Sequence, residues 1–393
     1  MRVLMRLLLV PTIILFATAS AAAQLAGAFT LRASDKDGRV NLNFQYEEGR
    51  SNYGRMVDRS AFSDISRTGD RISFRMRREP GTFTFEGKGS MDAAAGWYEF
   101  APNTEFRREL EKLGYRDIES RDLFVFALDD LTVPKVKQLQ SLISNRLDTT
   151  ELVRLINHGA GVTYIQAMTD LGFRNLRSDE YRRARDHGVS ERFVREMADL
   201  GFKLSLEELI RTRDHGVTAE YVREMRAAGF NVGHDELIRT RDHGVTADFL
   251  RQMRELGFGS LSLSEYVRMR DHGVTPDYVR GMRSAGLKVS HDELVRARDH
   301  GVTADFLRQM REFGYDGLPL GEYVRMRDHG VTPDYVQSLR DLGYTKLSPN
   351  ELVRLRDHGV TATFVRRVKE LFKETPTAEQ LIRLRTHGDI GSR

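Results

Sequence analysis

The sequence predicts an α+β chain: a small N-terminal antiparallel β domain over 24–102, followed by an α-solenoid of two-helix repeats of 28 or 29 residues. Two observations carry the prediction. The hexapeptide Arg213-Asp214-His215-Gly216-Val217-Thr218 recurs in near-identical form, centred on His158, His187, His215, His243, His272, His300, His329, His358 and His387. A fixed period of this length denotes one supersecondary unit, copied, whose apolar face is buried only by its neighbours. From Phe29 to Phe100, by contrast, apolar and polar residues alternate with period two rather than 3.6, the pattern of half-buried strands.

At the start of the chain, Arg2 and Arg6 precede an apolar run from Leu7 to Phe16, and Ala19, Ala21 and Ala23 supply small-residue cleavage sites. Residues 1–23 therefore read as a secretory signal peptide, and the protein as exported, either periplasmic or secreted. The run is shorter than the roughly 20 apolar residues a membrane helix needs, and no transmembrane segment is expected in the mature chain. With no cysteine, stability must come from packing rather than disulfides. The formal charge is only +4, and Arg is interleaved with Asp and Glu at helical spacings. That pattern reads as salt-bridged helix faces and excludes a nucleic-acid footprint.

In the β domain the inward residues are Phe29 and Leu31; Val40, Leu42, Phe44 and Tyr46; Ile72, Phe74 and Met76; Phe83 and Phe85. Trp97, Tyr98 and Phe100 complete an expected sheet of about five strands. Asp37-Gly38 and Pro80-Gly81 read as hairpin turns. Gly49 to Gly69 reads as a polar connection with no structure assigned. Residues 103–147 form a degenerate first repeat, or junction: Thr104 to Leu113 matches a second helix and Ser120 to Leu131 a first helix, with Asp129 aligned on Asp214 and Asp130 in place of the histidine. Leu123 to Leu128 is apolar all round, as suits a helix wedged between the sheet and the first regular repeat.

The solenoid, 148–393, holds about nine repeats, the last one partial. In a representative unit Ser205 and Glu208 make a capping box, and Leu209, Ile210 and Thr212 form the inward stripe. Gly216 ends the helix in the left-handed conformation, His215 lies in the last turn near free carbonyls, and Thr218 caps the second helix. That helix turns Tyr221, Val222 and Met225 inward, and Gly244 repeats the role of Gly216. Near the start, Ile156 and Asn157 replace Arg and Asp, and Ala160-Gly161 reads as an insertion before Val162. At the far end Leu371-Phe372-Lys373 lacks the usual glycine.

The histidines look like metal ligands but are spaced wrongly for it. Equivalent helices of neighbouring units lie about 10 Å apart, whereas metal-bound imidazole nitrogens approach to about 2 Å. They read instead as repeated structural caps that meet polar groups of the adjoining helix. Arg211, Arg213, Arg239 and Arg241 form a candidate anion-binding face, set against pairing with Glu208, Asp214 or carboxylates of the next unit. Gly81 to Gly89 departs from a phosphate loop in spacing and context, and no zinc-protease or nucleophile-elbow motif occurs. No catalytic, cofactor-binding or metal residue is assigned. The expected function is a non-enzymatic binding scaffold that engages a protein partner through the solenoid surface. The alternatives are an envelope structural protein binding peptidoglycan or another acidic polymer, and a hydrolase using the β domain.

Two stretches, Gly81-Thr-Phe-Thr-Phe-Glu-Gly87 through Gly96-Trp97-Tyr98-Glu99-Phe100-Ala-Pro102-Asn103 and the Asp-Glu-Leu-Ile-Arg-Thr-Arg-Asp-His-Gly-Val-Thr units, carry a resemblance. They resemble exported bacterial helical-repeat proteins of uncharacterised function and the extracytoplasmic repeat tails of some beta-lactam-sensor-type membrane metallopeptidases. The resemblance implies a sensing or binding appendage. The zinc peptidase domain of those larger proteins has no counterpart in this sequence.

Overall fold

The structure is a computed structural model that describes residues 25–34, 38–46, 51–373 and 375–387; the expected signal peptide and Asp37 of the first turn lie outside them. The chain divides into two compact units. The first reaches to Ala198 and includes Leu204–Ile210; the second holds Asp199–Lys203 and everything from Arg211 onward.

The first unit begins with strands β1 (Leu25–Ala33), β2 (Arg39–Tyr46), β3 (Ser51–Asp58), β4 (Phe62–Thr68), β5 (Arg71–Arg78), β6 (Gly81–Gly89) and β7 (Ala93–Pro102). They form one antiparallel sheet of seven strands, ordered β3-β2-β1-β7-β6-β5-β4, where about five were expected. The two unforeseen strands are β3 and β4, within the stretch read as a polar connection. Only a 3-10 turn, Arg59–Ala61, joins them, yet they occupy opposite edges. A flat sheet would separate those edges by about 29 Å, and the link reaches at most about 14 Å. The sheet therefore curls until its edges approach.

Curling encloses one face, and Phe29, Phe44, Phe74, Phe83, Phe85 and Phe100 on that face are all at most 2% exposed. One inward row holds two glycines: Phe29, Gly96, Gly87 and Ile72, paired across β1, β7, β6 and β5. A Cβ on Gly96 would lie 2.1 Å from the Glu86 carbonyl oxygen, so these strands approach too closely for any side chain.

Helices follow in tandem: α1 (Thr104–Lys112), α2 (Ser120–Leu128), α3 (Val133–Leu142), α4 (Thr149–Asn157) and α5 (Val162–Asp170), then further helices mostly of nine residues. Helices this short are marginal alone. Each leans on the helix two places along, α1 on α3 on α5 and α2 on α4, and the same rule holds within the second unit. As expected, α2 wedges against the sheet: Phe124 meets Phe44, Phe83, Tyr98 and Phe100 with ring centroids 5.2–5.9 Å apart. Arg78 of β5 bonds Asp130 at 2.9 Å, and the Glu79 carboxylate accepts the Val133 N–H at 2.7 Å. The sheet thus supplies part of the cap of α3.

The repeat's cap has the expected chemistry. Gly216 takes φ +67, the Val217 N–H donates to the Thr212 carbonyl at 2.9 Å, and Thr218 Oγ1 accepts from the Tyr221 N–H at 3.1 Å. This geometry corrects two alignments. In the degenerate unit Asp130 takes φ +51 and the Leu131 N–H donates to the Phe126 carbonyl, so Asp130 stands at the glycine position and Asp129 at the histidine position, one residue from the expected register. Near the start of the regular array, the Ala160 N–H donates to the Leu155 carbonyl and Gly161 is the N-cap of α5. Ala160 and Gly161 therefore replace the valine and threonine of the motif, and nothing is inserted. At the far end Lys373 itself takes φ +55 in place of glycine.

Candidate functional site

His158, His187, His243, His272, His300, His329 and His358 are the C-cap residues of their helices, and His215 directly follows Asp214, the last residue of its own. In the second unit Nδ1 meets an aspartate of the next repeat: His215 and Asp242 at 2.8 Å, His243 and Asp271 at 2.5 Å, His272 and Asp299 at 2.7 Å, His300 and Asp328 at 2.6 Å, His329 and Asp357 at 2.7 Å. His358 ends the series on the Thr386 hydroxyl at 3.2 Å. In the first unit His158 pairs with Asp186 at 2.6 Å, and His187 is the C-cap of Ser178–Asp186. His387 closes the last described helix. Because Asp242 immediately precedes His243, as Asp271 precedes His272, Asp299 precedes His300 and Asp328 precedes His329, these repeats each give a carboxylate backward and an imidazole forward. The rungs from His158 to Asp186 and from His215 through His329 each hold one histidine and one aspartate, and among the described residues no group of three or more metal-ligating side chains converges.

His234 and His291, at the first position of alternate first helices, reach back instead: His234 Nε2 to the Thr212 hydroxyl at 2.8 Å, His291 Nε2 to the Glu265 carboxylate at 3.3 Å. They are 57 residues apart, and Tyr164, Tyr221, Tyr278 and Tyr335 follow one another at the same spacing. Each of these tyrosines donates its hydroxyl proton to a carbonyl of the next unit, at Val189, Val245, Val302 and Val360, over 2.8–2.9 Å. Burial pushes Tyr164, Tyr278 and Tyr335 up to about 12. The structural period is therefore two repeats, with Phe249 and Phe306 in the intervening units. The spacing of the tyrosines and of the two extra histidines was the available sequence signal.

The arginines proposed as a binding face are engaged within the array. Arg211 pairs with Asp235 of the next unit at 2.8 Å, and Arg239 reaches Glu236 at 3.3 Å and Ser264 at 3.2 Å. The Arg241 guanidinium lies over the Tyr221 ring, 5.2 Å from its centroid, a contact repeated by Arg270 on Phe249 and Arg327 on Phe306. Arg213 holds the equivalent position. A further row escaped the sequence reading: Arg254, Arg283, Arg340 and Lys369 donate to the carbonyls of Ala228, Leu256, Phe313 and Leu342, each near the end of the preceding second helix. Cations thus satisfy the free carbonyls of the neighbouring unit.

Two other places could hold a ligand. Asp129, in the degenerate unit, lines a cavity of about 520 Å³ with Gly161, Thr163 and Arg185, and burial pushes its carboxyl above the ordinary range. On the outer face of the sheet Trp97 is 72% exposed, the most open large hydrophobic side chain among the described residues. It stands between depressions of about 790 Å³ and 260 Å³, both of which it lines together with Glu86.

Among the described residues no helix is long and apolar enough to cross a membrane. No protein-family model matches the chain, and no curated protein matches its sequence.

Proposed function

We propose that the protein is an exported, non-enzymatic binding scaffold whose repeated helices present a regular outward surface to a protein partner. The observation that carries this is the recurrence of outward side chains in register. Helices Ala247–Glu255 and Ala304–Glu312 have identical sequences, and each turns an Asp and an Arg three residues apart to solvent, Asp248 with Arg251 and Asp305 with Arg308. Side chains that only held the array together would need identity on the inward positions alone. Repeat arrays use such periodic surfaces for extended contacts. The acidic-polymer reading draws less support, because Arg211 and Arg239 already meet carboxylates and Arg241 lies over a ring. A hydrolase would have to draw on the β domain, because the recurring rungs of the ladder offer no unique constellation.

The test starts from partner capture out of an envelope extract at low and high salt. The identified, purified partner is then titrated against the wild type and against Arg251→Glu/Arg308→Glu. Weakened binding of the variant with unchanged melting supports the reading. Equal binding of both proteins, or turnover of a peptide or glycan substrate abolished by one substitution in the β domain, overturns it.

A further inference from the structure

The outer face of the curled sheet holds a feature that folding does not require. Trp97 is the sole tryptophan of the chain, and it projects from β7 on the face opposite Tyr98 and Phe100, which are buried. Leaving so large an apolar surface in water forgoes about 1.5–3 kcal/mol of burial. A single exposed ring does not by itself mark a site, so the assignment turns on what surrounds it. Its register neighbours are Ala28 on β1 and Glu86 on β6. One row further lie Ala95 and Lys88. The indole is therefore flanked by a small side chain and a carboxylate rather than embedded in an apolar patch.

We infer that this face is a saccharide-binding site in which the Trp97 indole stacks on a pyranose ring and Glu86 accepts hydrogen bonds from its hydroxyls. Three observations carry the assignment. The surroundings offer hydrogen-bonding groups without a dominant charge: Ser66, Thr68, Ser73 and Thr84 carry hydroxyls, Glu86 and Glu99 are acidic, and Arg71 and Lys88 are basic. Lys88 is moreover paired with Asp70 at 2.9 Å. Such a balance suits an uncharged polyol better than a phosphate or a polyanion. An exposed indole face with no large apolar neighbours beside it in register complements the C–H face of a sugar, which is flat and only weakly apolar. Finally, the two depressions share Trp97 and Glu86 in their walls, one on either side of the indole, so a linear chain that crosses the indole would place a residue over each. Their volumes approach or fall within the range of small-molecule sites. A β-1,4-linked pyranose chain fits best, because its equatorial substituents leave both ring faces free for stacking. The site lies on the β domain, and the inference does not depend on the solenoid's partner.

The single tryptophan is its own reporter. Titration of the full chain with hexamers of β-1,4-linked N-acetylglucosamine and of β-1,4-linked glucose, to millimolar concentration, should shift or quench the indole emission saturably for at least one of them. The corresponding insoluble polymer, chitin or cellulose, should retain the protein in sedimentation. Trp97→Ala and Glu86→Gln should each lower retention about ten-fold or more with unchanged melting, since both side chains face solvent. Glu86→Gln keeps the indole, so its emission titration separates lost affinity from a lost reporter. The inference is overturned if neither hexamer alters the emission, or if retention survives Trp97→Ala. A saturable response to an apolar peptide but to neither glycan would overturn it as well and assign the face to a protein.

Discussion

The imidazole of His243 and the carboxylate of Asp271 meet at 2.5 Å, joining the C-cap residue of one first helix to the last residue of the next. Both side chains are about 40% exposed, at 40% and 42%, so solvent screens the pair. Replacing His243 by Ala should therefore cost about 0.5–1 kcal/mol, the scale of a well-formed exposed contact. Since a long array need not unfold in one step, hydrogen exchange should rise in the helices around His243 and Asp271 and stay unchanged near the sheet. Unaltered exchange everywhere, combined with lost partner binding, would make the histidine a recognition residue instead.

The neighbouring glycine should matter more. Gly244 takes φ +68, and a Cβ there would stand 3.1 Å from Nη2 of Arg270, the arginine stacked on Phe249. Gly244→Val strains the backbone and presses on that stacked arginine, for an expected loss of about 1–3 kcal/mol. Urea melts of Gly244→Val and His243→Ala, measured side by side, check the order. A valine variant as stable as the histidine variant would mean that the cap geometry carries little energy.

How much could be read in advance follows from the range of each interaction. Caps, capping boxes and inward stripes depend on residues three to five apart, so Thr218, Gly216 and the Ser205–Glu208 box were legible directly. The His–Asp rungs join residues 27 or 28 apart, and no local rule links His215 to Asp242. The sheet's edge strands were missed for a different reason. Between Ser51 and Thr68 the buried apolar side chains are Val57 and Phe62, too sparse for a period-two signal, because an edge strand packs against few neighbours. Trp97 was legible in principle: it sits out of phase with Tyr98 and Phe100, and strict alternation places it on the outer face.

Alkaline pH should loosen the array. Tyr164, Tyr278 and Tyr335 titrate near about 12 in the folded chain because burial penalises the phenolate, whereas unfolded tyrosines titrate near about 10. The unfolded state then loses protons first. The stabilising contribution is complete below pH of about 10 and is lost as pH rises through about 12. Tyrosinate absorbance, followed in native buffer and in denaturant, should show a late-titrating class only in the native protein. A single class titrating near the unfolded value in both conditions would remove these hydroxyls from the list of inter-unit bonds.

The sheet should not tolerate a side chain where β6 and β7 meet at Gly96. A Cβ on Gly96 would meet the Glu86 carbonyl oxygen at 2.1 Å and the Gly87 Cα at 2.4 Å, and both obstacles are backbone. Neither can rotate away, so Gly96→Val must push β6 from β7 and open the curl that encloses Phe83 and Phe85. A loss above about 3 kcal/mol is expected, in the class of overpacked cores. Because Trp97 is the adjacent residue, its emission should change along with the melting transition. Gly321→Ala provides the contrast: it lies inside the helix Leu320–Asp328 and has nothing within 4 Å of the added methyl, so it should stabilise by about 0.4–1 kcal/mol. If Gly96→Val melted like the wild type, β6 and β7 would part there without cost, and the close approach of their backbones at Gly96 would contribute little to the enclosure of Phe83 and Phe85.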